Sequence, residues 1–286
     1  MCAFLINPFV FSTAAGYPNT YSMLLTRTTS SATMDLLKIN NKSNAIDTAM
    51  RDTTPNFSLS VWFKVNTANN GTSRVLFSKY EDFGGRDRNF FIYFNGNGSL
   101  WLYGQYNSSS VSLDATTNAK FTAATWVHLT FVYDSSQTVG SNIAKLYIDG
   151  ALVTSYASQT VSTTNKFFNN QTTESSRANV AFGVRYYGGS AGLAQENFGG
   201  NLDEATFWDK SLSSTEVSEI YNSGDAYNIS GMTSYSSNCL AWWRNGDFPT
   251  DNWDGSNWNI INVKATASTD LLSANLVEAD RVADVP

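Results

Sequence analysis

The chain has 286 residues, a net charge of −6 and a pI near 4.8, with 42% hydrophobic but only 15% charged residues. That is enough for one large all-β domain with appendages. The acidic balance excludes nucleic acid as a partner, because displacing counterions from phosphates needs a basic face, and no run nears the roughly 20 apolar residues that insert across a bilayer.

The start, Met1 to Phe11, is apolar but lacks a basic n-region and is broken by Pro8. It reads as an extended arm rather than a signal peptide, and residues 1–34 together are taken as an N-terminal arm. From Phe57 the period changes to that of a half-buried strand: Phe57, Leu59, Val61, Phe63 and Val65 alternate with Ser58, Ser60, Trp62 and Lys64. Further strands are predicted at Val75–Tyr80, Phe90–Phe94, Leu100–Tyr103, Trp126–Tyr133, Ala144–Asp149, Val180–Val184, Leu202–Trp208 and Cys239–Trp243. Asn95-Gly-Asn-Gly98 and Asp149-Gly150 supply residues that accept positive φ, so each closes a hairpin.

One helix is expected, where Ser213 and Glu216 form a capping-box pattern, Val217 and Ile220 make an apolar face and Gly224 is placed to stop it. Residues 165–200 are irregular and glycine-rich, the character of long loops that either carry function or are disordered. The stretch 245–262 is rich in Asn, Asp, Gly and Trp, and 266–286 reads as an extended strand or arm packing on this chain or on a neighbour. Many short antiparallel strands with one short accessory helix and extended terminal arms predict a two-sheet jelly-roll sandwich.

Five patches carry a resemblance. Phe57-Ser-Leu-Ser-Val-Trp-Phe63, Trp126-Val-His-Leu-Thr-Phe-Val-Tyr133, Lys145-Leu-Tyr-Ile-Asp-Gly150, Phe198-Gly-Gly-Asn-Leu-Asp-Glu-Ala-Thr-Phe-Trp208 and Leu212-Ser-Ser-Thr-Glu-Val217 resemble, in that order, the signatures of laminin-G-like, concanavalin A-like jelly rolls. The expected domain spans 35–244, with 245–286 as a C-terminal extension. Ile220-Tyr-Asn-Ser-Gly224, Leu240-Ala-Trp-Trp-Arg-Asn-Gly-Asp247 and Asp284-Val-Pro286 resemble the tails of laminin-G-like virion proteins of marine bacteriophages.

This resemblance implies a non-enzymatic virion structural protein, either a surface decoration or an attachment component. It would be made in the host cytoplasm without a signal peptide and displayed on the virion surface. Its expected partners are other capsid or tail proteins, copies of itself in a homo-oligomer, and host surface glycans. The alternative is a carbohydrate-binding, lectin-like module using loops between Gly183 and Gly200 and around Tyr80. Sugar rings stack on aromatic faces, which makes Tyr80, Tyr186, Tyr187 and Trp253 the glycan-binding candidates.

No cofactor is required by either reading. Calcium is the one ion the resemblance brings in, with Glu81, Asp82 and Asp87 as oxygen donors suited to a hard cation. A glycoside hydrolase is the least supported class. A retaining enzyme needs two carboxylates roughly 5 Å apart, and Asp203 and Glu204, being adjacent in a strand, are expected on opposite faces. Glu81-Asp82 is expected in a loop. His128, without a nucleophile motif beside it, reads as structural, and Cys2 and Cys239 as unpaired thiols.

Overall fold

The computed structural model describes residues 18–26, 28, 30–52, 54–66, 72–82, 88–95, 98–104, 121–156, 158, 161, 179–187, 193–264 and 267–286. In chain order its strands are β1 (Ser22–Leu25), β2 (Leu36–Ile39), β3 (Asn56–Val65), β4 (Arg74–Asp82), β5 (Arg88–Phe94), β6 (Leu100–Gly104), β7 (Trp126–Asp134), β8 (Ala144–Ile148) and β9 (Ala151–Leu152). They continue with β10 (Val180–Phe182), β11 (Arg185–Tyr187), β12 (Leu193–Gln195), β13 (Gly200–Trp208), β14 (Cys239–Trp243), β15 (Asn252–Trp253), β16 (Trp258–Ile260), β17 (Leu271–Ala274) and β18 (Arg281–Val282). The helices are α1 (Ala45–Met50), α2 (Gly140–Ile143), α3 (Ser214–Tyr221) and α4 (Tyr235–Asn238).

Among the described residues the strands form two sheets. An 8-stranded sheet runs β18-β1-β13-β3-β7-β8-β9 with β14 also on β13. A 10-stranded sheet runs β12-β11-β4-β10-β2-β17-β16-β15, with β5 on β4 and β6 on β5. All pairs are antiparallel except β11 against β4. The expected jelly-roll sandwich is the fold observed.

The alternation at Phe57–Val65 explains the interior. Phe57 stacks on Phe207 at 5.6 Å and Phe90 on Phe131 at 4.9 Å, while Phe182 meets Trp243 edge-on at 5.7 Å, so rings from both sheets interlock. Each side chain removed from water contributes roughly 1.5–3 kcal/mol. Gly200 marks the tightest approach, since a Cβ there would lie 2.0 Å from the Lys64 carbonyl oxygen of β3.

Both expected hairpins form. Asn95 and Ser99 close β5 onto β6, and Asp149 and Gly150, both at positive φ, close β8 onto β9. The capping box is present: Ser213 Oγ accepts from Glu216 N at 3.2 Å, and Glu216 Oε2 accepts from Ser213 N at 2.9 Å. The helix stops earlier than Gly224, because Asn222 takes the left-handed conformation that ends it.

The C-terminal stretch, expected as a strand or arm packing on this chain or on a neighbour, packs on this chain: β15, β16 and β17 extend the larger sheet, and Trp258, Ile260, Leu271 and Leu276 belong to the main core. β1, inside the expected N-terminal arm, pairs with β13 and with β18, so the first and last strands lie side by side. The tail residues are what hold them there. Arg244 Nη2 donates to the Pro18 carbonyl, Asp247 Oδ2 accepts from Thr20 N and Tyr21 N, and Ser22 Oγ donates to the Asp284 carbonyl at 2.6 Å. Residues 1–17, with Cys2, lie outside the described residues.

Candidate functional site

The outer face of the smaller sheet is sealed. Val132, Tyr147, Trp208 and Trp242 pack there against Leu212, Val217, Ile220, Ile229 and Met232 of α3 and the segments on either side of it, forming a second apolar cluster. His128 sits on this face, fully buried, with Nε2 2.7 Å from Ser60 Oγ and its ring against Trp62 and Tyr221. Burial pushes its pKa down to about 3, so it is neutral. A shielded, neutral imidazole is a structural residue, as its sequence context implied.

The outer face of the larger sheet differs, because there the strands β4, β5 and β6 carry aromatic residues at both parities. Phe90, Ile92, Phe94, Leu100 and Leu102 point into the core, which leaves Phe91, Tyr93, Trp101 and Tyr103 to project outward. Phe91 lies 4.9 Å from Tyr80, 5.0 Å from Tyr93 and 5.0 Å from Tyr103, and Tyr93 lies 5.9 Å from Trp101. Tyr93, Trp101 and Tyr103 are half-buried, so part of each ring meets solvent. The indole N–H of Trp101 has no hydrogen-bond partner among the described residues.

Arg185 of β11 lies across this array, its guanidinium 5.4 Å from the Tyr80 ring centre and 5.1 Å from that of Phe91. Glu196 holds it with two parallel contacts, Nη2 to Oε1 at 2.8 Å and Nε to Oε2 at 2.7 Å. Such a fork leaves the arginine little capacity for another anion. Burial raises the Glu196 pKa, against the pull of Arg185.

The expected glycan residues fall unevenly on this plan. Tyr80 and Tyr186 lie in strands rather than loops and are only 3% and 8% exposed. Tyr80 underlies Phe91 and Arg185, and Tyr186 packs with Met34, Leu36, Ala181, Val184 and Ala194. Trp253 is half-buried beside Trp258 at 6.1 Å and packs toward the main core. Glu81 and Asp82 end β4 rather than occupying a loop. Their side chains, that of Tyr187, and the whole of Asp87 lie outside the described residues.

Phe91, Tyr93, Trp101, Tyr103 and the Arg185–Glu196 pair were not singled out in the sequence. The available signal was Phe90-Phe-Ile-Tyr-Phe94 against Leu100-Trp-Leu-Tyr103: in a half-buried strand one parity must face out, and here that parity is aromatic.

Asp203 and Glu204 are not on opposite faces. A bulge between Asp203 and Thr206, with Glu204 at φ 42°, breaks the alternation. Asp203 stays opposite Trp62, while Glu204 turns to the same outer side, where its Oε2 accepts from Trp242 Nε1 at 2.5 Å and its Oε1 from Arg244 Nε at 3.1 Å. Asp203 accepts from Asn19 Nδ2 at 3.0 Å. Burial, then Glu204, holds the Asp203 pKa well above the carboxylate range, and burial pushes that of Glu204 up to about 7. Both carboxylates are enclosed and engaged in fixing β14 and the first described residues, and the cavity that Glu204 lines with Trp62, Thr206 and Trp242 has a volume of only about 10 Å³. Among the described residues, no group of three or more His, Cys, Asp or Glu side chains is arranged to hold a metal ion.

Comparison with known proteins agrees with this architecture. Residues 40–218 match a laminin G family model described as the concanavalin A-like lectin/glucanases superfamily. A comparison with curated proteins finds no match. Among solved structures, a candidate carbohydrate-binding protein from Bacteroides ovatus is 11% identical with a TM-score of 0.55, over 90% of this chain and 58% of that one. A leech intramolecular trans-sialidase is 17% identical with a TM-score of 0.50, over 74% of this chain and 30% of that one. The CBM40 of a Ruminococcus gnavus sialidase, bound to sialyllactose, is 15% identical with a TM-score of 0.49, over 70% and 97%. At these identities the likeness concerns the fold.

Proposed function

The chain belongs to the concanavalin A-like lectin/glucanases superfamily, and from that premise we propose that it is a carbohydrate-binding module whose ligand lies on the outer face of the larger sheet. The carrying observation is the half-open aromatic array of Tyr93, Trp101 and Tyr103 around Phe91. Partly exposed rings supply flat apolar surface for the C–H face of a pyranose. Binding rather than catalysis fits this face, whose one described carboxylate near the rings, Glu196, is held by Arg185.

The test is a glycan array with the full chain, followed by calorimetry on the strongest hits. Trp101→Ala should weaken binding by about thirtyfold, the loss of roughly 2 kcal/mol typical of an aromatic anchor. Full affinity in that variant would remove the array from the site. Repeating the array with chelator tests the further proposal of calcium at Glu81, Asp82 and Asp87, which requires binding to fall.

Display on a virion surface is a proposal motivated by the tail resemblance. Within the chain those tail residues clamp β1 and the residues before it. Finding the protein in purified particles by mass spectrometry would support that placement, and its absence from them would end it.

A further inference from the structure

The rings of the outer face do not lie in one plane. Across β5 and β6, Tyr93 faces Trp101 and Phe91 faces Tyr103, so a path of neighbouring rings runs Tyr103, Phe91, Tyr93, Trp101. Its steps are 5.0, 5.0 and 5.9 Å between ring centres, and the ring planes turn by 41°, 37° and 42° in the same order. Phe91 is 5% exposed and forms the floor, while Tyr93, Trp101 and Tyr103 are half-buried around it.

What this path offers a ligand is mainly carbon. The indole N–H of Trp101 is enclosed, so the ring meets solvent through its hydrocarbon part. The charged pair beside the array cancels itself, because both oxygens of Glu196 are taken by Arg185, Nη2 to Oε1 at 2.8 Å and Nε to Oε2 at 2.7 Å. A ligand here is held by stacking of C–H surface on aromatic faces rather than by charge, which disfavours an anionic sugar.

Two kinds of neutral glycan are large enough to cover several rings at once. The surface of a crystalline polysaccharide holds many chains in one fixed plane, and only coplanar aromatic rings stack on it together; planes that turn by 37° to 42° at every step let it lie flat on one ring and lift it from the others. A single chain in solution rotates about each glycosidic bond, so its successive pyranose rings can follow successive aromatic planes. We propose that the ligand of the outer face is a single, soluble, neutral glycan chain lying along Tyr103, Tyr93 and Trp101, and that flat crystalline polysaccharide is excluded. This rests on the reading of the outer face as a glycan site and narrows its ligand.

The experiment joins two measurements on the full chain, for wild type, Trp101→Ala and Tyr103→Ala. Calorimetry follows soluble gluco-, galacto- and N-acetylglucosamine oligosaccharides of one to six rings, beside sialyllactose. Sedimentation reads how much protein microcrystalline cellulose and crystalline chitin carry down, which present two of the same sugars in a fixed plane. Both substituted rings are half-buried, and circular dichroism with a thermal melt checks that the variants are folded. The wild-type affinity for its best series should rise at least about tenfold from one ring to three and level off beyond, since three rings meet solvent. Each variant should lose most of that rise, and neither powder should carry wild type down.

Sedimentation of wild type with either powder, abolished in Trp101→Ala, would overturn the single-chain ligand and leave the array standing as a glycan site. An affinity that does not change with ring number would overturn it as well, because only one sugar would then be stacked. Soluble chains bound equally by wild type and both variants would remove the array from the site, and this inference with it. Tighter binding of sialyllactose than of every neutral ligand would overturn the neutral class, and no binding of any soluble ligand or powder by wild type would overturn both readings.

Discussion

The two sheets present opposite solutions to the same problem. Each is built from alternating strands and therefore has an outer as well as an inner face, but the smaller sheet covers its outer face with α3 and the residues after it, burying Trp208 and Trp242 completely or nearly so. The larger sheet leaves Tyr93, Trp101 and Tyr103 half-buried. Apolar area hidden on the first face stabilises the fold. The same kind of area kept at the surface on the second remains free to be covered by something else.

The sharpest way to break this comparison is Trp208→Ala. Its ring is fully buried and its Nε1 donates to Thr206 Oγ1 at 2.8 Å, so the substitution should cost about 3–5 kcal/mol, read as a fall in the urea midpoint. A loss under about 1 kcal/mol would show that the cover is loosely held.

A second test concerns the carboxylates beneath that cover. Because the folded-state pKa of Glu204 is raised to about 7 from 4.5, its contribution is fully present below about pH 4.5 and is lost as pH rises through 7. His128 works the other way: with its pKa depressed to about 3 from 6.5, it contributes above 6.5 and loses that contribution as pH falls. Glu204→Gln removes only the first effect. The difference in Tm between variant and wild type should therefore move in the variant's favour from pH 5 to pH 8. A constant difference in calorimetric scans would mean that Glu204 does not titrate in this range.

The smallest effect is expected on the open face. Tyr103→Ala, removing a half-exposed ring, should shift stability by about 1 kcal/mol or less, and a loss as large as that for Trp208→Ala would mean that the two faces do not differ.

Long strands and local motifs were legible because their signals lie within a few residues: the alternation at Phe57–Val65, the Asp149-Gly150 turn and the Ser213–Glu216 box all appear where expected. What escaped depends on distant partners. β1 and β18 have four and two residues and exist through pairing with strands far off in the chain. The bulge at Glu204 defeats any parity argument from adjacency. Tyr80 resembles a loop residue until Arg185 and Phe91 close over it. Of the expected residues, Tyr80 lies beneath Phe91 and Arg185 at the edge of the aromatic array, while the rings that meet solvent there are others.

The pairing of β1 with β18 also has a mechanical consequence. The strands are antiparallel, with Ser22 facing Val282 and Met23 facing Arg281, so a tension applied between residues 18 and 286 would pull these pairs apart one after another rather than shearing them together. The clasp would yield first and lengthen the tether, while β3, β7 and β13, bonded along most of their length inside the sheet, would still carry the load.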